Sequence, residues 1–108
     1  MSKKNQLFKD LSEIQHLVVS KDRKARLVGE YWELFIRIHK LSGFIDKVRR
    51  KIIPESTING PLYLHILQVK SMKKYLGTLT IRLAIEQVDP DDAAWKSFEE
   101  PVEQISLF

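Results

Sequence analysis

The stretch "LVGEYWELFIRIHKLSGFIDKV", residues 27–48, decides the fold of this chain. Its apolar residues recur at alternating steps of four and three, at Leu27, Tyr31, Leu34, Ile38, Leu41, Ile45 and Val48. This seven-residue repeat predicts a long helix with one apolar seam along its length. Such a seam requires a partner that covers it.

The partner follows after a loop. The stretch "IIPESTINGP", residues 52–61, contains helix-breaking residues, and Asn59 and Pro61 suit the N-cap and the first turn of a new helix. A second seam then runs through Val69, Met72, Leu76, Leu79 and Leu83. Folding the chain back at the loop sets Leu41 near Met72, Ile38 near Leu76 and Leu34 near Leu79. The sequence therefore predicts an all-α fold built on a long antiparallel helical hairpin.

A second apolar stripe indicates that the hairpin is not alone. Its members lie beside the two seams, at Val28, Trp32, Phe35, Ile81, Ile85 and Val88. Candidates to cover it are a short amphipathic N-terminal helix (Leu7, Leu11, Ile14 and Val18), the later aromatics Trp95 and Phe98, or a second subunit. We predict both intramolecular cover and a homo-oligomer. The predicted organisation is an N-terminal amphipathic segment (1–22), the hairpin (23–88) and an acidic C-terminal tail (89–108).

Three glycines, Gly29, Gly43 and Gly77, fall inside the predicted helices. Each costs about 1 kcal/mol relative to alanine in a helix interior, so a compensating reason is expected. We predict a close approach of the two helices around Gly43 and Ser71.

Composition and spacing exclude several kinds of chemistry. The chain has no cysteine, so disulfides, thiolate zinc sites and thiol catalysis are absent. His16, His39 and His65 show no metal-binding spacing, and no glycine loop for phosphate is present. The start, "MSKKNQLFKD", lacks an apolar signal region, and no apolar run reaches bilayer length. These features predict a non-enzymatic cytoplasmic protein without a cofactor, a metal or a membrane partner.

Charge is segregated along the chain. Residues 1–88 hold 17 Lys/Arg against 8 Asp/Glu, whereas residues 89–108 hold one against six. The loop end of the hairpin concentrates the cations, at Lys47, Arg49, Arg50, Lys51, Lys70, Lys73 and Lys74. Such a cluster indicates an anionic partner. The alternative is that the cations form a solvated surface and, at the end of the first helix, stabilise the helix dipole.

The two helices together also resemble a known family. The segments "EYWELFIRIHKLSGFID" (30–46) and "LQVKSMKKYLGTLTIRLAIE" (67–86) are similar to the small helical-hairpin proteins of tailed phages, a hairpin shared with the anti-CBASS and Thoeris anti-defence sponges. The matching letters are Glu30, Tyr31, Leu34, Lys40, Leu41, Phe44 and Ile45, then Gln68, Met72, Tyr75, Leu76, Leu79 and Arg82. The β-rich portion of the Thoeris sponges is missing here.

The resemblance implies a non-catalytic homo-oligomer that sequesters a cyclic nucleotide or an ADP-ribose-derived immune signal in the bacterial host cytoplasm. No binding residue is carried over from the family. The predicted ligand site is chosen by charge position, with Tyr75 and Arg82 added as family-like side chains that are able to stack on a base or bind a phosphate. It comprises Lys40, Lys47, Arg49, Arg50, Lys70, Lys73, Lys74, Tyr75 and Arg82.

The chain ends in "QISLF", Gln104, Ile105, Ser106, Leu107 and Phe108, which resembles the bacterial sliding-clamp-binding peptide. In that mode Leu107 and Phe108 would anchor in an apolar cleft and the Gln104 amide would bind at its rim. This predicts an alternative function, a replication-associated adaptor or inhibitor on the clamp. The tail could instead fold back on its own chain, and a purely structural phage component is a third hypothesis.

Overall fold

The computed structural model describes residues 6–100, and every regular element within them is helical. The helices are α1 (Gln15–Val18), α2 (Arg23–Arg49) and α3 (Leu62–Ile85), and 3₁₀ turns occupy Leu11–Ile14, Glu55–Thr57 and Ala93–Ser97. The two long helices, α2 and α3, run back along each other and pack together. The all-α prediction and the pairing of two long helices are confirmed.

Both long helices end by the same backbone device. Lys51 and Gln87 take the left-handed conformation, with φ of 60° and 57°. The next N–H then reaches back five residues, from Ile52 to the carbonyl of Lys47 and from Val88 to the carbonyl of Leu83, each at 2.9 Å. Helix α3 is therefore terminated by this C-terminal turn, before Pro90 is reached.

The beginning of α3 corrects one prediction. Pro61 occupies the N-cap position in extended conformation, and Leu62 is the first helical residue. Asn59 is not the cap, and its carbonyl oxygen instead accepts a hydrogen bond from His65 Nε2 at 2.8 Å. The difference arises because the residue before a proline avoids the helical region, so Gly60, with φ of 85°, is not the first helical residue that an Asn59 cap would require.

The interior is divided into two clusters along the hairpin. At the loop end, Ile38, Ile45 and Val69 form a small buried group flanked by further seam residues. At the open end, where α2 begins and α3 ends, a larger group joins both long helices to the N-terminal segment. Its buried members are Phe8, Ile14, Leu17, Ala25, Leu27, Val28, Trp32, Ile36, Leu79 and Leu83. The principal core therefore lies at the open end of the hairpin.

Trp32 connects three segments of the chain. Its side chain is 2% exposed and its ring meets Phe8 edge to face, with the centroids 5.5 Å apart. Its indole N–H donates to the carbonyl oxygen of Pro90 at 2.8 Å. Segments before and after the hairpin thus cover the extra stripe of α2, as predicted. Phe8 and Leu17, which the amphipathic pattern did not include, are among the most buried residues.

The glycines behave differently from the prediction. A Cβ at Gly43 or Gly77 would meet nothing within 4 Å, whereas one at Gly29 would lie 2.9 Å from the backbone nitrogen of Val18. The expected close approach around Gly43 and Ser71 is wrong because both residues are exposed. The close approach is between α2 and the N-terminal segment.

Residues 89–100 form a C-terminal strap that returns across the N-terminal segment. His16 Nε2 donates to the carbonyl oxygen of Trp95 at 2.8 Å, and the backbone N–H of Lys21 donates to Glu100 Oε1 at 2.8 Å. The Ser20 hydroxyl also bonds the Glu100 carboxylate, and this bond, followed by the Lys21 N–H, holds the pKa of Glu100 below its ordinary value. The strap is anchored beside the start of α2.

Glu100→Gln is expected to lower stability at neutral pH and to lose that effect in acid. A lowered pKa stabilises the folded state above the ordinary glutamate pKa, and the stabilisation disappears as pH falls through the lower value in the folded protein. Thermal unfolding of both proteins from pH 7 to pH 3 measures this difference. The difference between the two proteins should shrink progressively as pH falls below the ordinary glutamate pKa of about 4.3. The exposed neighbour Glu99, changed to Gln, is the control, and an equal pH response of the two variants would contradict the anchor.

Candidate anion-binding groove

A groove of about 430 Å³ lies between α2 and α3 near the loop end of the hairpin. Four residues from each helix line it, namely Ser42, Ile45, Asp46 and Arg49 from α2 and Ile66, Val69, Lys70 and Lys73 from α3. Ile45 and Val69 are seam residues and are buried, so they close the groove from below. The polar residues stand on either side because each follows a seam residue along its helix.

The groove carries more positive than negative charge. Arg49, Lys70 and Lys73 are exposed and form no ion pair with any residue from 6 to 100. The one carboxylate, Asp46, is held by Arg50 at 3.2 Å. Unpaired cations above an apolar floor suit a ligand that has a flat ring and phosphate groups, because the ring is desolvated while the phosphates receive charge-assisted hydrogen bonds.

The structure divides the predicted ligand residues among several places. Arg49, Lys70 and Lys73 lie together in the groove. Lys47 and Arg50 are exposed at the end of α2 and do not line it, and Lys74 is exposed on α3. The position of a cationic residue in the sequence therefore does not by itself determine which side chains lie together.

Lys40, Tyr75 and Arg82 lie outside the groove. Lys40 lines a second groove of about 380 Å³, together with Leu11, Arg37, Leu41, Phe44, Gln68 and Met72. The Tyr75 hydroxyl donates to Glu30 on α2 and so connects the two long helices. Arg82 follows Lys73 by nine residues on α3, a rise of about 13 Å. These three residues do not join the cations of the first groove.

Two polar groove residues were missed at the level of sequence. Ser42 and Asp46 precede Arg49 by seven and three residues, a spacing that places all three on one face of α2. That spacing was visible in the sequence. The sequence criteria were positive charge and two family-like side chains, Tyr75 and Arg82, so the serine hydroxyl and the carboxylate were not included.

Arg49 also borders a hollow beneath the connecting loop. This hollow has a volume of about 590 Å³ and is lined by Val48, Arg49, Lys51, Ile52, Ile53, Pro54, Glu55 and Leu62. Its lining is mostly apolar, so it offers fewer groups for a phosphate than the first groove. Arg49 stands between the two spaces.

The predicted clamp-binding residues, Gln104 to Phe108, lie outside the described residues, and clamp binding stays a prediction. None of the helices between residues 6 and 100 is long and apolar enough to cross a membrane.

Comparison with known proteins gives one match. A family model described as Sequestin matches residues 21–85, which is more than half of the chain and includes both long helices and the groove between them. No curated protein and no solved structure matches the chain.

Proposed function

The chain belongs to the Sequestin family, and from this membership we propose that it is a non-enzymatic protein that sequesters a small anionic nucleotide. The ligand class we propose is a cyclic nucleotide or an ADP-ribose-derived immune signal, bound by a homo-oligomer during phage counter-defence. The family description supports sequestration, and the resemblance of both helices to the anti-defence sponges supports the ligand class.

The observation that carries this proposal is the groove of Arg49, Lys70 and Lys73. Its volume of about 430 Å³ falls in the range of small-molecule sites, roughly 300–1,000 Å³. The buried Ile45 and Val69 supply an apolar floor for a base. The three cations can each donate to phosphate oxygens, while Ser42 and Asp46 offer polar partners for ribose hydroxyls.

Binding of this kind requires no chemical step. Fixed cations hold an anion without gaining or losing a proton, and Asp46 is already paired with Arg50. A sequestering protein lowers the free concentration of its ligand by mass action, so its capacity is set by the number of sites and their Kd. The ligand should therefore be recovered unchanged after release.

Titration calorimetry of the full chain tests the proposal. The probes are cyclic di-AMP, a cyclic trinucleotide and cyclic ADP-ribose, with linear AMP as the comparison. We expect stoichiometric uptake of at least one cyclic probe, and chromatography of the heat-released ligand should return it intact. Uptake should survive deletion of residues 104–108. Absence of binding for all three cyclic probes, or conversion of the ligand, would overturn the proposal.

Lys73→Glu and Lys70→Glu are each expected to weaken uptake at least tenfold. Reversal of an unpaired groove cation removes one charge-assisted hydrogen bond and adds repulsion, which together amount to about 1.5–3 kcal/mol. The readout is the Kd from calorimetry at fixed salt.

Lys40→Glu is the matched control for these two variants. It makes the same change of charge at an exposed lysine, but in the second groove. An equal loss of affinity in all three variants would indicate a general electrostatic effect and would contradict the assignment of the groove.

A further inference from the structure

The two ends of the hairpin carry opposite net charge. The loop end, residues 40–74, contains eight Lys/Arg against two Asp/Glu, a net charge of +6. The open end, formed by residues 6–39 and 75–100, contains eight Lys/Arg against eleven Asp/Glu, a net charge of −3. The molecule is elongated, with extents of 65 × 31 × 22 Å, so the two charges are separated along its length. The loop end therefore produces a local positive potential that attracts anions.

The groove accounts for only part of this charge. Three cations at and just beyond the end of α2, Lys47, Arg50 and Lys51, are exposed and do not line the groove. Lys47 and Lys51 form no ion pair with any residue from 6 to 100, and Arg50 pairs with Asp46 at 3.2 Å. The helix dipole favours cations here, but it does not remove the repulsion among three of them. A chain of phosphates beside them would relieve that repulsion.

A mostly apolar hollow opens beside these cations. It lies beneath the connecting loop and has a volume of about 590 Å³. Ile52, Ile53 and Leu62 supply apolar side chains to its lining, and Arg49 and Lys51 also border it. A phosphate that entered an apolar lining would lose its hydration without compensation. The hollow therefore suits a flat ring whose phosphates stay outside, at the cations.

A second flat surface is open at the same end. Tyr63 lies in the first turn of α3, directly after Leu62, and is 62% exposed. Lys70 follows Tyr63 by seven residues and Lys74 follows Lys70 by four, a spacing that places all three on one face of α3. An exposed aromatic ring in line with cations can stack on a base while the neighbouring phosphates are neutralised.

We propose that the loop end of the hairpin binds single-stranded nucleic acid. One base lies in the hollow, a neighbouring base stacks on Tyr63, and phosphates contact Lys47, Arg50 and Lys51. A single strand is favoured over a duplex because its unpaired bases can enter the hollow and reach the ring. Binding should depend little on base sequence, since every base has a flat face and phosphate contacts carry no sequence information.

The arrangement of the cations also favours a strand over an anionic membrane surface. They continue from Lys51 at the loop to Lys74, which lies about 16 Å along α3 from Tyr63. A flexible strand can follow this path along the helix. A flat bilayer that touches the loop contacts only its beginning.

This inference goes beyond the proposed function, because Lys47, Arg50, Lys51 and Tyr63 lie outside the groove that would hold the small nucleotide. Arg49 borders both spaces and is therefore left out of the tests.

Fluorescence anisotropy of a labelled oligothymidylate, with the full chain as titrant, tests the proposal. A length of about 20 nucleotides exceeds the usual site of roughly 4–16. Measured from about 50 to 200 mM salt, the logarithm of the binding constant should fall with the logarithm of salt concentration. The expected slope is about −2 to −3.5, which corresponds to three to five phosphate contacts at roughly 0.7 each. A duplex of the same sequence should bind more weakly.

Two variants separate the phosphate contacts from stacking. Lys47→Gln with Lys51→Gln should weaken binding at low salt and reduce the magnitude of the slope by about 1.4, because two phosphate contacts are lost. Tyr63→Ala should weaken binding about tenfold and leave the slope unchanged, because stacking releases no counterions. All three positions are exposed, so the helix content by circular dichroism should stay the same.

Lys24→Gln with Lys96→Gln is the matched control. It removes the same charge from two exposed lysines at the open end, so it should bind the oligonucleotide like the wild type. An equal loss in the two double variants, no binding at about 50 mM salt, or tighter binding of the duplex would overturn the inference. Binding to phosphatidylserine vesicles without binding to the oligonucleotide would also overturn it and would assign the loop end to a membrane surface.

Competition with the cyclic probes distinguishes this inference from the proposed function. The variant Lys47→Gln with Lys51→Gln should take up a cyclic probe as the wild type does. If the oligonucleotide binds and no cyclic probe does, the inference is supported while the sequestering function fails. If a cyclic probe binds and displaces the oligonucleotide completely, the strand occupies the groove and the inference is overturned.

Discussion

Trp32→Ala is expected to lower the free energy of unfolding by about 3–5 kcal/mol, the usual loss when a buried large aromatic is removed. The side chain is 2% exposed and packs against Phe8, Tyr31 and Phe35. Its removal leaves a cavity at the open end of the hairpin. It also leaves the Pro90 carbonyl without the indole donor. Urea unfolding followed by circular dichroism measures the change.

Trp95→Ala is the control for the loss of a tryptophan. Trp95 is half-buried, and its indole N–H donates to the carbonyl of Asp89 within the strap, at 2.9 Å. It therefore supports a local segment, and its removal should cost about 1–2 kcal/mol. Equal losses in the two variants would contradict the assignment of the principal core to the junction of the N-terminal segment, α2 and the strap.

Gly29→Ala is expected to destabilise the protein by about 1–2 kcal/mol, although alanine is the better helix former. The new methyl group would lie 2.9 Å from the nitrogen of Val18 and 3.1 Å from the carbonyl carbon of Leu17. Both are backbone atoms, so relief requires the N-terminal segment to move away from α2. That movement would also disturb the packing of Leu17, which is fully buried.

Gly43→Ala is the matched control on the same helix and should have the opposite sign. A Cβ there meets nothing within 4 Å, so only the gain in helix propensity remains, about 0.5–1 kcal/mol. Melting temperatures of the two variants provide the comparison. If Gly29→Ala were as stable as Gly43→Ala, the N-terminal segment would not be held against α2 as described.

Part of the groove could be predicted from sequence. Arg49, Lys70 and Lys73 were selected because the loop brings the ends of two basic helices together, and the structure sets them around one space. Lys40, chosen for its charge, and Arg82, added as a family-like side chain, lie elsewhere. Arg82 is separated from Lys73 along the helix axis, and Lys40 is about half a turn away from Arg49 around α2. Selection by charge took neither separation into account.

The sequence by itself determined that this chain forms two long helices which pair along their apolar seams, because a seven-residue repeat specifies both the helix and the face it buries. It also determined that additional apolar surface exists beside those seams. Only the tertiary structure decided how that surface is used: the N-terminal segment and the strap cover Trp32 on α2, whereas Ile81 and Ile85 on α3 stay exposed. The reason is that cover depends on where distant segments of the chain return in space, and local periodicity contains no information about that.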